Sequence, residues 1–350
     1  MTASSLPAEQ RPRSRWLFSP QVDLWTFLGS AVVALGLLAV GAPFGLLESD
    51  SPEWLWIGAI LMIDVAHVYS TGFRVYFDRV ELRRRPWLYG LTPLLAFFVG
   101  IAIYSETSAG FWRILAYLAV FHFVRQQYGW VALYRSRAGE TGRLGYWIDT
   151  LAIYMATLYP LIHWHSHLPR NFWWFLDGDF QKLPAVFENI ACRFYWCILS
   201  LYFVRSAYLG FAHGRRSPGK DIVVMTTAVC WYVGIITFNS DYAFTVTNVI
   251  IHGIPYMVLV YWYRCGGQEQ PPSRHLPKIA SFLGVVWMLA YLEEFLWDSG
   301  VWNDRSWLFG PAWGQENYHV LLVPLLAVPQ ITHYVLDGFI WKRQSRSGVV

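Results

Sequence analysis

The sequence predicts an all-α, polytopic transmembrane helix bundle. Only 14% of its 350 residues are charged and 55% are hydrophobic, whereas soluble globular proteins average about 25% charged residues. Runs of roughly 20 apolar residues, long enough to cross the ~30 Å hydrocarbon layer of a bilayer, recur along the whole chain. The net charge of +4 is small and does not indicate a nucleic-acid-binding protein. We therefore expect membrane lipids, and no nucleic acid, among the partners.

Ten segments are predicted to span the membrane. They are residues 24–47, 53–76, 87–105, 111–134, 144–165, 188–212, 221–239, 241–263, 277–297 and 317–341. Residues 1–22 are predicted to form a basic cytoplasmic segment, because they contain no apolar run of the kind that a signal peptide has. Residues 23–343 then make a single transmembrane domain, and residues 344–350 a short cytoplasmic tail.

Basic residues are concentrated in alternate connections between these spans. Arg and Lys cluster in RPRSR, RVELRRRP, YRSRAGETGR, HGRRSPGK and the KRQSRSG tail, whereas LLESDSPE, SETSAG and FNSD are poor in them. The positive-inside rule assigns basic connections to the cytoplasm. Five helical hairpins with both termini in the cytoplasm are the expected topology.

Four of the ten histidines lie deep inside predicted spans. They are His67, His122, His252 and His333, in the second, fourth, eighth and tenth spans, which all run in the same predicted direction. Each lies 9 to 13 residues before a basic residue at the end of its span, which at ~1.5 Å per residue is about 14–20 Å. Four histidines at one depth on four helices can converge on one point. Because ionisable groups inside a membrane are costly and commonly functional, we predict a shared metal site.

Each of these histidines has a polar neighbour three or four residues away, which places it on the same helix face. The pairs are Asp64 with His67, Gln126 with His122, Asn248 with His252, and Asp337 with His333. A metal-bound histidine usually donates its second N–H to a carboxylate, amide or carbonyl group. We expect the four neighbours to orient the histidines, although either aspartate could instead bind the metal directly.

Histidines combined with one or two carboxylates are typical of non-haem iron, and they also suit zinc or copper. A haem held by two of the four histidines, or a quinone-reactive protein, is the main alternative. A proton-coupled transporter with a His/Asp relay is the second, but we detect no inverted repeat of the kind found in many transporters. A structural role, in which each histidine hydrogen-bonds across helices, is the expectation for any one histidine alone.

Two further features stand outside this set. The sequence HWHSH (His163, His165, His167) is predicted to place three imidazoles on one side of an extended segment, either as a second metal site or as a plain interfacial loop. Arg205 lies inside the sixth predicted span. A charged side chain at that depth is expected to be paired.

The histidine-bearing segments resemble those of the Brp/Blh family, the membrane β-carotene 15,15'-dioxygenases of bacteria and archaea. The segment FHFVRQQYGW is similar to the family's span with a His-Phe-Gly motif, and NVIIHGIPYMVLVYWYR to its span with a histidine pair. ITHYVLDGFIWKR resembles the closing span with Pro-His-x-x-x-x-Asp, and DVAHVYSTGFR shares with the first motif only its histidine. Where the family has a second histidine in the third motif, this chain has Tyr256.

The resemblance implies a membrane non-haem iron enzyme that uses O₂ on an isoprenoid or another lipid. It assigns His67, His122, His252 and His333 as metal ligands. We therefore expect a metal-dependent oxidoreductase with Fe²⁺, acting on a carotenoid, an isoprenoid or another lipid-soluble substrate, in the bacterial inner membrane. Tyr256 and Arg125 are the residues expected to assist at the substrate.

Overall fold

The computed structural model describes residues 14–265, 272–314 and 318–341, and no β-strand occurs among them. Within these ranges the chain forms twelve helices. The first six are α1 (Pro20–Phe44), α2 (Glu53–Arg74), α3 (Arg79–Arg84), α4 (Pro86–Glu106), α5 (Ser108–Ala138) and α6 (Arg143–Ser166). The others are α7 (Ala185–His213), α8 (Pro218–Thr237), α9 (Asp241–Cys265), α10 (Pro272–Trp297, continued by the π-helical turn Asp298–Trp302), α11 (Ser306–Phe309) and α12 (His319–Ile340).

The predicted all-α bundle is confirmed. Seven of the described helices (α1, α2, α4, α8, α9, α10 and α12) are long and apolar enough to cross a membrane, which indicates a membrane protein. Helices α5, α6 and α7 are long too, but they are not among these seven. The count of ten spans, the cytoplasmic termini and the bacterial inner membrane therefore stay predictions. Residues 344–350 and most of the predicted N-terminal segment lie outside the described residues.

Proline and glycine mark the ends of several helices. Helices α4 and α8 begin at Pro86 and Pro218, where a missing N–H costs nothing because the first turn has no intrahelical acceptor. Helices α5 and α7 end at Gly139 and Gly214, which adopt φ values of 68° and 61°. Such left-handed backbone suits glycine at a helix C-terminus. These local signals explain why the sequence indicates the helix positions well.

Helix α9 is the central element of the bundle. It packs against α1, α2 and α8, and it also touches α5 and α10. In the most apolar stretch of α9, 89% of the residues are buried, compared with 17% in α4. Helix α4 lies at the periphery against α12. A helix that is apolar on all sides is expected either in such a core or in lipid. The candidate site is formed around α9 by α2, α5 and α12.

Helix α2 is irregular where it approaches α9. Its residues Trp56–Val65 are π-helical, and ordinary α-helix resumes at Ala66–Arg74. Short π-helical stretches are frequent at functional sites, and this one ends two residues before His67. A Cβ atom on Gly253 of α9 would lie 2.6 Å from Ile63 Cγ2 of α2. The glycine thus allows the two backbones to approach closely beside their histidines.

Candidate metal centre

The four predicted histidines meet in the centre of the bundle. His67 from α2, His122 from α5, His252 from α9 and His333 from α12 are each at most 2% exposed. The distances between ring centroids that link the four range from 4.5 to 6.3 Å. Residues separated by up to 266 positions in the sequence therefore form one contiguous cluster. We call it the histidine cluster.

The imidazole Nε2 atoms face one another in pairs. His252 Nε2 lies 3.1 Å from His67 Nε2, and His333 Nε2 lies 3.1 Å from His122 Nε2. A metal–nitrogen bond of about 2.0–2.1 Å places two neighbouring ligand nitrogens about 3.0 Å apart at a 90° angle and about 3.4 Å apart at a tetrahedral angle. The observed separations fall in that range. The histidine cluster therefore has the spacing that two imidazoles need to share one ion.

Two overlapping sets of donor atoms could hold an ion. One potential ligand atom from each of His67, His122 and His333 lies within 4.8 Å of the others, and the same is true of Asp64, His67 and His252. His67 belongs to both sets. Asp64, one of the two aspartates that the sequence analysis left open as metal ligands, is thus close enough to serve as one.

Thr71 links His333 to Tyr256 beside the cluster. Thr71 Oγ1 lies 2.7 Å from His333 Nδ1 and 3.0 Å from the Tyr256 hydroxyl oxygen. A hydrogen bond at Nδ1 leaves Nε2 available for a metal and fixes the orientation of the ring. Sequence reasoning missed Thr71. The available signal was its spacing, because Thr71 follows His67 by four residues and shares its helix face.

The expected pairing of Asp337 with His333 is wrong. His333 Nδ1 has Thr71 as its partner, while Asp337 Oδ2 lies 3.8 Å from His122 Nδ1 of the neighbouring helix, which is close but too far for a hydrogen bond. The physical reason is that two side chains one turn apart share a helix face without having to touch. When α12 packs against α5, that shared face brings Asp337 to the histidine on the other helix.

Of the other three predicted neighbours, Asp64 and Gln126 reach the cluster, whereas no hydrogen bond joins the Asn248 side chain to His252. Asp64 Oδ1 is 3.7 Å from His67 Nδ1, too far for a hydrogen bond. The Gln126 side-chain amide donates to the backbone carbonyl of His252 at 2.8 Å, and the Asn248 amide donates to the Phe244 carbonyl at 2.9 Å. Gln126 therefore joins α5 to α9 at the cluster.

Several buried polar atoms beside the cluster lack a hydrogen-bond partner among the described residues. They include Asp64 Oδ1, Asn248 Oδ1 and His252 Nδ1. Native proteins satisfy the great majority of their buried polar groups, and the exceptions commonly occur at catalytic or ion-binding sites. Their concentration here is what a bound ion and its associated water would explain.

Aromatic rings surround the imidazoles. Phe123 stacks on His252 with a centroid distance of 3.5 Å and an interplanar angle of 8°, and Tyr334 stacks on His122 at 4.8 Å and 24°. Phe123 and Tyr334 directly follow His122 and His333 in the sequence, but nothing in a single span indicates that such a ring covers a histidine of another helix. The rings restrict the orientation of the imidazoles and keep water away.

A cavity of about 320 Å³ between α5, α9 and α12 reaches the cluster. Its wall includes His122, Asp337, Tyr256 and Tyr334, and its mouth includes the exposed Phe121. Known small-molecule pockets measure about 300–1,000 Å³. The cavity is therefore large enough to admit part of a long molecule at the surface of the bundle.

Both residues expected to assist at the substrate line this cavity. Tyr256 is 1% exposed and lies with its ring 5.0 Å from that of His333. Arg125 lies near the mouth, where it donates to the Tyr154 hydroxyl and stacks over the Tyr128 ring at 4.8 Å. One residue is thus at the inner end and the other nearer the surface.

The HWHSH histidines are not on one side of an extended segment, because His163 and His165 lie in α6 and His167 directly follows it. The helix keeps His163 and His167 on one side and directs His165 to another. His163 Nδ1 and His167 Nδ1 lie 2.7 and 3.5 Å from the Glu188 carboxylate oxygens. His165 bonds instead to the Tyr117 hydroxyl and the Leu161 carbonyl. A second metal site here would consist of His163, His167 and Glu188, which the sequence did not indicate.

Comparison of the chain with protein-family models, with curated proteins and with solved structures finds no match. The resemblance to the Brp/Blh family therefore stays a prediction that rests on the short motifs around the four histidines.

Proposed function

We propose that this protein is an integral-membrane, metal-dependent oxidoreductase whose histidine cluster binds one iron ion and acts on a lipid-soluble substrate. The observation that carries the proposal is the convergence of four imidazoles, each on a different helix, with Nε2 atoms at 3.1 Å. Histidines that served only in packing would not need this convergence. Ionisable groups at such depth are retained mainly for function.

Iron fits the donor atoms better than the alternatives. Imidazoles with nearby carboxylates and open coordination positions are typical of non-haem iron oxygenases, although zinc and copper also accept imidazole. Haem fits less well, because the rings of His252 and His333 each lie within 5.1 Å of the rings of both His67 and His122. A porphyrin bound by two of the four histidines would compete for space with the other two. When bound, iron would supply the O₂ chemistry that amino-acid side chains lack.

The surrounding residues would hold the ligands and exclude water. Thr71 fixes His333, Gln126 ties α5 to the backbone at His252, and Phe123 covers the His252 ring. Pre-organised ligands of this kind need little reorganisation during a reaction. The dry, aromatic surroundings would protect reactive species from water.

The cavity favours a substrate that enters from the membrane. Its mouth includes the exposed apolar side chain of Phe121 on α5, and exposed apolar surface on such a bundle faces lipid. Its inner end reaches His122 and Tyr256. A long isoprenoid chain entering laterally would bring its reacting carbon to the cluster while the rest remained in lipid. The motif resemblance makes β-carotene the first substrate to test.

Metal analysis of the detergent-purified protein tests the proposal. We expect about one iron per chain in the wild type, and a loss of most of it in His122→Ala and His252→Ala. His213→Ala is the matched control, because His213 is exposed at the end of α7 and should leave the iron content unchanged. Wild-type protein without a transition metal, or equal iron in all three variants, would overturn the proposal.

Two further measurements separate the alternatives. A Soret absorption band on the same sample would identify haem, and a stoichiometric zinc or copper content would replace iron as the metal. Incubation with β-carotene and O₂, followed by product analysis, tests the substrate class. Loss of product in His252→Ala, but not in His213→Ala, would link the reaction to the cluster.

A further inference from the structure

A second and larger cavity lies at one end of the bundle. It measures about 630 Å³ and is formed by the C-terminal ends of α5 and α7, the N-terminal end of α8, and Arg15. Arg135 of its wall follows His122 by 13 residues on α5, about 20 Å along the helix. No residue of the histidine cluster lines it. The metal chemistry proposed above therefore does not account for this cavity.

Positive charge dominates the wall of this cavity. Six cationic residues line it, against the two acidic residues Glu140 and Asp221. The six are Arg15, Arg135, Arg205, Arg215, Arg216 and Lys220. Asp149, directly behind the wall, is the third acid in contact with this group. An excess of three positive charges remains around the cavity, which favours a multiply charged anion.

Ion pairs hold four of the six cations, Arg135, Arg205, Arg216 and Lys220, in position without neutralising all the positive charge. Asp149 is bonded by Arg135, by Arg205 at 3.0 Å and by Lys220 at 2.8 Å. This arrangement also provides the partner that the sequence required for Arg205. Arg216 is held by Asp221 at 3.0 Å. Ordered arginines lose little freedom when they bind an anion, and their planar N–H groups match the oxygen atoms of a phosphate.

The N-terminus of α8 opens into the same cavity. Ser217 precedes the first residue of this helix and lines the cavity, and it is 5% exposed. Its side chain makes no capping hydrogen bond, and Ser217 Oγ has no partner among the described residues. The free N–H groups of a first helical turn attract anions. A buried hydroxyl without a partner at that point is the contact that a bound oxyanion would complete.

We propose that this cavity binds a phosphate group, either on a soluble phosphate ester or diphosphate or on the headgroup of an anionic lipid. The arginine residues bind the phosphate oxygens, while Ser217 Oγ and the N-terminus of α8 contact the remaining face. The volume is far larger than a single carboxylate or chloride ion requires and leaves room for the group that carries the phosphate. The site would connect α5, α7 and α8 through its ligand.

Thermal unfolding of the full-length protein in an uncharged detergent tests the site. Inorganic pyrophosphate is titrated at constant ionic strength, and the midpoint of unfolding gives the affinity, because a ligand that binds only the folded state raises it. We expect saturable stabilisation of the wild type and about tenfold weaker binding in Arg216→Gln. Arg216 is largely exposed, and Asp221 keeps its bonds to Tyr202 and Ser206, so this variant should fold.

Ser217→Ala should also weaken binding, without any change of charge. Arg83→Gln is the matched control, because Arg83 is exposed and lies outside the cavity. A parallel series in nanodiscs compares phosphatidate with phosphatidylcholine. Stabilisation by pyrophosphate alone supports a soluble ligand, and stabilisation by phosphatidate alone supports a lipid headgroup. The proposal is overturned if neither ligand stabilises the protein beyond the salt control. It is also overturned if Arg216→Gln binds as tightly as the wild type and the control Arg83→Gln do.

Discussion

The histidine cluster and the ionic cluster around Asp149 are both buried, and each connects four helices, but they are built in opposite ways. The histidine cluster joins α2, α5, α9 and α12 through imidazoles, which can be buried in their neutral form. The Asp149 cluster joins α5, α6, α7 and α8 through formal charges that all have partners. Helix α5 belongs to both.

The difference separates a cluster whose own ion pairs stabilise the fold, and whose cations also line the proposed phosphate cavity, from one whose unpaired polar atoms support the proposed metal site. Buried charges are tolerated only when they are paired, and Asp149, at 0% exposure, has three cationic partners. The histidine cluster leaves Asp64 Oδ1 and His252 Nδ1 without a partner among the described residues. Neutral imidazoles allow such a cluster to be buried without a charged partner, as the proposed metal site requires. The Asp149 cluster should therefore dominate stability, and the histidine cluster should dominate metal binding.

Asp149→Asn gives the largest expected change in stability. The substitution removes the anion on which Arg135, Arg205 and Lys220 converge, and breaking a buried ion pair on one side costs about 3–5 kcal/mol. The free energy of unfolding in mixed micelles measures the loss, with Asp304→Asn, an exposed residue, as the control. A loss no larger than that of the control would mean that the charges are not structural.

Gly253→Ala should disturb the histidine cluster through its backbone. The added Cβ would meet Ile63 at 2.6 Å, and overpacking of this kind costs about 1–3 kcal/mol. Because it pushes α2 away from α9, we also expect a lower iron content. Gly284→Ala on α10 adds the same atom where nothing lies within 4 Å and should cost nothing. Equal behaviour of the two variants would contradict the close approach of α2 and α9.

Thr71→Val should affect metal binding more than stability. The variant keeps the shape of the side chain but loses the contacts with His333 and Tyr256. We expect a stability cost of about 1–2 kcal/mol and a metal affinity about 10–100-fold weaker, measured by competition with a chelator. Thr71→Ser retains the hydroxyl and should bind metal nearly as the wild type does. Equal weakening in both variants would assign the effect to packing.

Glu53→Gln should have the smallest effect. Glu53 Oε2 lies 3.0 Å from Arg305 Nε, but the Glu53 side chain is 53% exposed. Exposed ion pairs contribute between about 0 and 1 kcal/mol, so the unfolding midpoint should barely move. A loss comparable to that of Asp149→Asn would remove the distinction between buried and exposed pairs in this protein.

The sequence indicated the helical bundle and the four histidines for clear physical reasons. Long apolar runs have few alternatives to a helix in lipid, and histidines at equal depth on helices of one direction stand out against apolar neighbours. Equal depth is a one-dimensional property, which a sequence can record. The meeting of the four rings at one point, by contrast, required the packing of α9 against its neighbours.

The remaining features depended on which helix faces meet. The sequence placed Asp337 with His333 on one face, but the packing of α12 against α5 put the Asp337 carboxylate nearer to His122, and Thr71 of α2 became the partner of His333. Because HWHSH begins in a helix, His165 points away from His163 and bonds to Tyr117, and His163 has Glu188 as its partner instead. The partner of Arg205 could not be read from its own span, because Asp149 lies on another helix. Depth and helix position were properties of the sequence, whereas every contact between helices was decided by their rotation and packing in three dimensions.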